Sequence, residues 1–128
     1  MYKVAIIEDN QPIRDMYSLK LKNSGYEVYT ATNGQEGLEL LEKIRPELVL
    51  LDINMPIMNG DEMLEKLRAT DWGALLKVIV LTNLSKDEAP SILRFLNVER
   101  YIVKAHYTPA QVMKIIEQVI DNMYKKHK

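Results

Sequence analysis

Four short apolar runs in this chain each end on a residue able to take part in phosphoryl or metal chemistry. Glu8 and Asp9 follow Val4-Ala5-Ile6-Ile7, Asp52 follows Leu48-Val49-Leu50-Leu51, Thr82 follows Val78-Ile79-Val80-Leu81, and Lys104 follows Tyr101-Ile102-Val103. Three carboxylates brought together repel one another, and burying them uncompensated is costly. A hard divalent cation, Mg2+ or Mn2+, prefers oxygen ligands and would relieve that repulsion. A carboxylate can also act as a nucleophile toward phosphorus, giving an acyl phosphate. The metal and the Lys104 ammonium would then neutralise the phosphoryl oxygens, and the Thr82 hydroxyl would add a hydrogen bond. Taken singly, each of these residues is an ordinary helix cap, turn residue or solvated strand end. The combination carries weight because four strand ends must hold the required residue type at once.

The elements that must position these groups are legible from apolar spacing. Continuous Val/Ile/Leu runs suit strands covered on both faces, as in a parallel sheet. Glu27 to Ala31 adds a weaker, more polar run, which brings the strand count to five. Between the runs lie helical patterns. Ile13, Met16, Tyr17 and Leu21 form a stripe after the first strand, with Pro12 near its start. Gly34 to Ile44, Gly60 to Thr70 and Ser85 to Leu96 carry similar spacing, the last with Pro90 near its beginning. Thr108-Pro109 is a helix start signal. It precedes Val112, Ile115, Ile116, Val119, Ile120 and Met123, one stripe of an amphipathic helix. Strand and helix therefore alternate five times. This predicts an α/β domain of flavodoxin-like (βα)5 type, a doubly wound five-stranded parallel sheet. In such sheets ligands bind at the carboxyl ends of the strands, where the five polar residues stand.

Composition narrows the alternatives. There are 128 residues with 17 basic and 18 acidic side chains, a net charge of −1, which gives no sign of a nucleic-acid surface. With no cysteine, disulfides and thiolate sites are excluded. No segment reaches the roughly 20 apolar residues of a membrane helix, and the start lacks the pattern of a signal peptide. A cytoplasmic protein without a membrane partner is the simplest expectation. The terminal run Lys125, Lys126, His127, Lys128 reads as a solvated helix end, its charge complementing the helix dipole. Met55, Met58 and Met63 read as loop and core packing, since thioethers suit the expected hard cation poorly. His106 and His127 have no metal-ligand spacing.

With these residues in view, the chain resembles the receiver domain of two-component response regulators over nearly its whole length. The most specific part is Asp52-Ile53-Asn54-Met55-Pro56-Ile57-Met58-Asn59-Gly60, which looks like that family's phosphorylation loop. Glu8-Asp9, Thr82 and Lys104 occur in the family's order, and Tyr101 stands where the family has its switch aromatic. The resemblance implies strand order 2-1-3-4-5 and Asp52 as phosphoacceptor. It implies that Asp9 ligates Mg2+ directly, Glu8 through water, and the backbone carbonyl of Asn54 beside them. Thr82 and Lys104 would hold the phosphoryl oxygens, with Tyr101 moving into space that Thr82 vacates. The phosphodonor would be a histidine kinase or histidine phosphotransfer protein, with small acyl phosphates as a second source. Output would pass to a protein partner through the fourth helix, fifth strand and fifth helix, a face including Arg94, Val98, Arg100 and Tyr101. Residues 1–128 are expected to be one receiver domain without an output domain, acting as a monomer or a phosphorylation-dependent dimer. It would not be an enzyme beyond catalysing its own phosphorylation and dephosphorylation.

Three positions depart from the family's pattern. Ala105 replaces the usual proline after Lys104. A cis bond there would cost about 3 kcal/mol, so a trans linkage with a displaced or strained loop is expected. Asn83 replaces a small residue beside Thr82 and is expected to narrow access or add a hydrogen bond. Asn97 replaces a glycine and tolerates the left-handed backbone a helix end requires.

Other chemistries fit less well. A haloacid-dehalogenase-type phosphatase would need a second Asp at Asn54, which cannot serve as general acid–base. A flavodoxin-type phosphate loop would need small polar residues where Glu8-Asp9-Asn10-Gln11-Pro12 would repel an anion. A receiver-like binding module that acts without phosphorylation is the remaining alternative.

Overall fold

A computed structural model describes residues 1–126. Five strands, β1 (Lys3–Ile7), β2 (Glu27–Ala31), β3 (Leu48–Leu51), β4 (Lys77–Thr82) and β5 (Arg100–Val103), form one sheet in the order β2-β1-β3-β4-β5. All four strand pairs are parallel, as expected. Four α-helices connect and flank them: α1 (Gln11–Asn23), α2 (Gly34–Ile44), α3 (Gly60–Arg68) and α4 (Pro109–Lys126).

Alternate residues of each strand feed opposite faces, which is why the runs are apolar throughout. Ala5, Ile7, Val49, Leu51, Val78 and Val80 pack with Leu41 of α2 and Met63, Leu64 and Leu67 of α3. Val4, Ile6, Leu48, Leu50, Ile79 and Leu81 pack with Tyr17 and Leu21 of α1 and with Val112, Ile116 and Ile120 of α4. Met55 and Met58 are buried in the first of these clusters with Met63, as core packing requires. Asn10 and Asn33 cap α1 and α2, each side-chain carbonyl accepting from the N–H three residues on.

One element departs from the sequence pattern. Ser85 to Leu96 is not an α-helix; it is a capped turn followed by a 3-10 turn at Ser91–Phe95. Helix initiation does begin, since Ser85 N–H donates to Glu88 Oε1 at 3.0 Å and Glu88 N–H to Ser85 Oγ at 3.3 Å, a reciprocal cap. Pro90 then falls where an interior N–H is needed, and its ring opposes the carbonyl four residues back. The described residues therefore form four α-helices, and the fourth crossover is an irregular segment.

Arg68, at the end of α3, ties this crossover to the neck of β4. Its guanidinium donates to the carbonyls of Leu96, Gly73, Ala74, Leu76 and Asn97 at 2.7–3.3 Å. Burial lowers its pKa below the usual arginine value. Asn97 has φ 53°, the left-handed backbone expected of it. The expected solvated basic end of the chain lies outside the described residues, apart from the helical backbone of Lys125 and Lys126. Among the described residues no helix is long and apolar enough to cross a membrane.

Candidate functional site

Strand register brings the acidic residues together. Ile7 of β1 stands beside Leu51 of β3, and the Asp52 N–H donates to the Ile7 carbonyl at 3.0 Å. Glu8 and Asp52 are therefore neighbours where the adjacent strands β1 and β3 end. With Asp9 they offer carboxylate oxygens that all lie within 4.8 Å of one another. Glu8 and Asp52 are buried, at 4% and 8% exposure, and Asp9 is exposed.

Lys104, at the end of β5, reaches into this cluster. Its Nζ lies 2.5 Å from Glu8 Oε1 and 3.7 Å from Asp52 Oδ2. The other Asp52 oxygen, Oδ1, accepts from the Ile53 N–H at 2.7 Å. Three carboxylates thus face one ammonium. Burial pushes the Glu8 carboxyl up from 4.5 to about 7, against the opposing hydrogen bond from Lys104, while the Asp52 charge pushes it higher. The donors are all hard oxygens, partly buried and under-neutralised, with an open side at Asp9. That set fits a divalent cation of the Mg2+ type.

Thr82 ends β4 and is 1% exposed. Its hydroxyl accepts from the Leu84 N–H at a long 3.4 Å. Tyr101 of β5 is half-buried, and its hydroxyl donates to the Leu84 carbonyl at 2.9 Å. Both hydroxyls therefore grip the same residue, one on each side of Leu84. Tyr101 is directed at this loop. Asn54 lies in the loop two residues beyond Asp52, and its side chain is exposed, as is that of Asn83. The Lys104–Ala105 peptide is trans, as expected, since no cis bond occurs among the described residues. Lys104 opens a 3-10 turn over Lys104–His106. Arg94, Val98, Arg100 and Tyr101 line one open groove of about 950 Å3 between the fourth crossover and β5.

One residue at the site escaped the sequence reading. Arg14 of α1 donates to the carbonyls of Glu8 at 2.8 Å and Asp9 at 3.3 Å, fastening the acidic loop from behind. Its only signal was a cation one turn into α1, which is indistinguishable from a solvated helix face.

A doubly wound parallel sheet with acids at the ends of β1 and β3 and a lysine at the end of β5 is the arrangement expected of a receiver domain. The family profile for the response regulator receiver domain matches residues 4–118, and the chain belongs to that family. It is similar to the chemotaxis protein CheY of Treponema pallidum, 33% identical over 121 residues, covering 92% of this chain and 80% of that one. It is 38% identical over 87 residues to the transcriptional regulatory protein AfsQ1 of Streptomyces coelicolor, covering 68% of this chain but only 37% of that protein. The chain thus spans well under half the length of some relatives it matches. Among solved structures, chemotaxis protein CheY4 of Vibrio cholerae superposes with TM-score 0.84 at 30% identity, covering 93% of this chain and 98% of that one.

Proposed function

We propose that this chain is a phosphoacceptor switch of two-component or phosphorelay signalling, in which Asp52 takes a phosphoryl group from a phosphohistidine. The observation that carries this reading is the Glu8, Asp9 and Asp52 cluster with Lys104 Nζ between its two buried members. Asp52 Oδ1 is occupied by the Ile53 N–H, so Oδ2 is the oxygen left to attack phosphorus. Attack forms the acyl phosphate O–P bond as the P–N bond of the phosphohistidine breaks, and the departing imidazole keeps the electron pair. Lys104 transfers its charge from Glu8 to the phosphoryl oxygens, and Thr82 turns its hydroxyl toward them. Glu8, Asp9, Asp52 and the Asn54 carbonyl would hold Mg2+ or Mn2+. When bound, the ion supplies charge neutralisation at the same oxygens.

The response passes through Leu84. Thr82 gives up a long hydrogen bond to the Leu84 N–H when it turns, and Tyr101 holds the Leu84 carbonyl. Movement at Thr82 is thereby felt at Tyr101 and in the groove it lines with Arg94, Val98 and Arg100. We assign that groove to a downstream protein partner, the phosphodonor being a histidine kinase or phosphotransfer protein. In this reading residues 1–128 act as one cytoplasmic regulatory unit, with no chemistry beyond gain and loss of the phosphoryl group.

Incubation with Mg2+ and acetyl phosphate, followed by intact-mass measurement, tests the reading. A phosphoryl increment on the native chain, absent from Asp52→Asn, is the expected result. No increment from acetyl phosphate or from a phosphorylated kinase would favour a binding module that works without phosphorylation.

A further inference from the structure

The loop after Asp52 carries an isoleucine where the backbone disfavours one. Ile57 has φ 68°, and the Met58 N–H donates across it to the Pro56 carbonyl at 2.7 Å. A positive φ closed by a hydrogen bond two residues apart is the γ-turn of the rare, strained hand. A β-branched side chain suits it least, whereas glycine or asparagine would fit. The Ile57 side chain is also 82% exposed, so it adds almost no burial to the fold.

The neighbours hold this turn in place without help from Ile57. Met55 and Met58 are buried around it, the Met58 carbonyl accepts from the Gly34 N–H at 3.0 Å, and the Gly60 N–H donates to the Ile53 carbonyl at 2.8 Å. The fold thus dictates the shape of the loop tip but not an exposed isoleucine there. Breaking a local rule without a folding gain is expected at functional positions.

The loop leaves Asp52 and returns to it, since a Cβ on Gly60 would run into the Asp52 carbonyl. Ile57 is three residues from Gly60, so their Cα atoms lie within ~11 Å. A protein footprint of ordinary size, ~800 Å2, has a radius of roughly 16 Å. A protein that brings a phosphohistidine to Asp52 is therefore large enough to cover Ile57 as well, which a small acyl phosphate is not.

We infer that Ile57 is a specificity-determining contact for the protein phosphodonor, an apolar anchor that reads the donor surface beside its phosphohistidine. This rests on Asp52 being the phosphoacceptor. Ile57→Gly and Ile57→Asn remove the anchor and relax the turn; Ile57→Leu keeps an apolar side chain. The donors are autophosphorylated, radiolabelled cytoplasmic cores of histidine kinases from the same genome, with acetyl phosphate as the small donor. With the core that transfers fastest to the native chain, Gly and Asn should lower kcat/KM about tenfold, the loss of one modest hot spot. Leu should retain most of it. All variants should take phosphate from acetyl phosphate at the native rate, and Gly and Asn should melt higher. Undiminished transfer to the Gly and Asn variants would overturn the inference, as would an equal slowing with acetyl phosphate. Labelling of the native chain by acetyl phosphate but by no kinase core would overturn it while leaving the phosphoacceptor reading intact. Labelling by neither donor would remove both.

Discussion

Lys104 is bound more closely to Glu8 than to Asp52, at 2.5 Å against 3.7 Å. In the metal-free protein it therefore compensates the buried glutamate first. Lys104→Met leaves two buried carboxylates facing each other without their ammonium. Urea unfolding near pH 8 should show a loss of about 2 kcal/mol, and less near pH 5, where Glu8 takes up a proton. An equal loss at both pH values would contradict this charge assignment.

The raised pKa of Glu8 has a definite sign in stability. Its folded value, about 7, exceeds its ordinary 4.5. Between those values the folded state binds more protons than the unfolded state, so metal-free stability falls as pH rises through the window. Mg2+ favours the ionised carboxylate and opposes that fall. The melting-temperature gain from saturating Mg2+ should therefore be larger near pH 8 than near pH 5, and Glu8→Gln should flatten the difference. A gain independent of pH would count against Glu8 as a member of the metal site.

Tyr101 offers a test of the link through Leu84. Tyr101→Phe removes the 2.9 Å hydrogen bond to the Leu84 carbonyl and a longer one, 3.4 Å, to the Ser85 carbonyl. The cost to stability should be about 1 kcal/mol. Phosphoryl uptake from acetyl phosphate should stay at the native rate, while any change in partner affinity on phosphorylation should shrink. Slowed uptake would mean that Tyr101 acts on the carboxylates themselves.

Arg68 holds two chain segments, residues 73–76 and 96–97, to the end of α3 through five carbonyls. Arg68→Ala leaves several of them without a donor and should destabilise the domain by about 3 kcal/mol in urea. Arg68→Lys should recover less than half, because one ammonium cannot reproduce the planar fork. Full recovery by lysine would show that charge alone suffices.

The strands and the polar residues at their ends were legible because a buried parallel sheet forces continuous apolar runs, each stopping where a polar residue begins. That logic found Glu8, Asp52, Thr82 and Lys104 without any knowledge of their contacts. It failed at Ser85 to Leu96. Ile92, Leu93 and Leu96 have helical spacing and Ser85 starts a cap, but the missing N–H of Pro90 outweighs both. Arg68 and Arg14 were hidden for another reason. Each looks like an ordinary helix cation, and its carbonyl acceptors become neighbours only once the chain is folded. The preference of Lys104 for Glu8 is likewise a matter of ångströms between residues 96 positions apart.

Borohydride trapping after exposure to Mg2+ and acetyl phosphate tests the central claim most directly, since reduction of an aspartyl phosphate leaves homoserine at the modified position. Peptide sequencing should find homoserine at residue 52 alone, with none when Mg2+ is removed or in Asp52→Asn. Homoserine at residue 9, or at no position, would contradict the assignment of Asp52 as the phosphoacceptor.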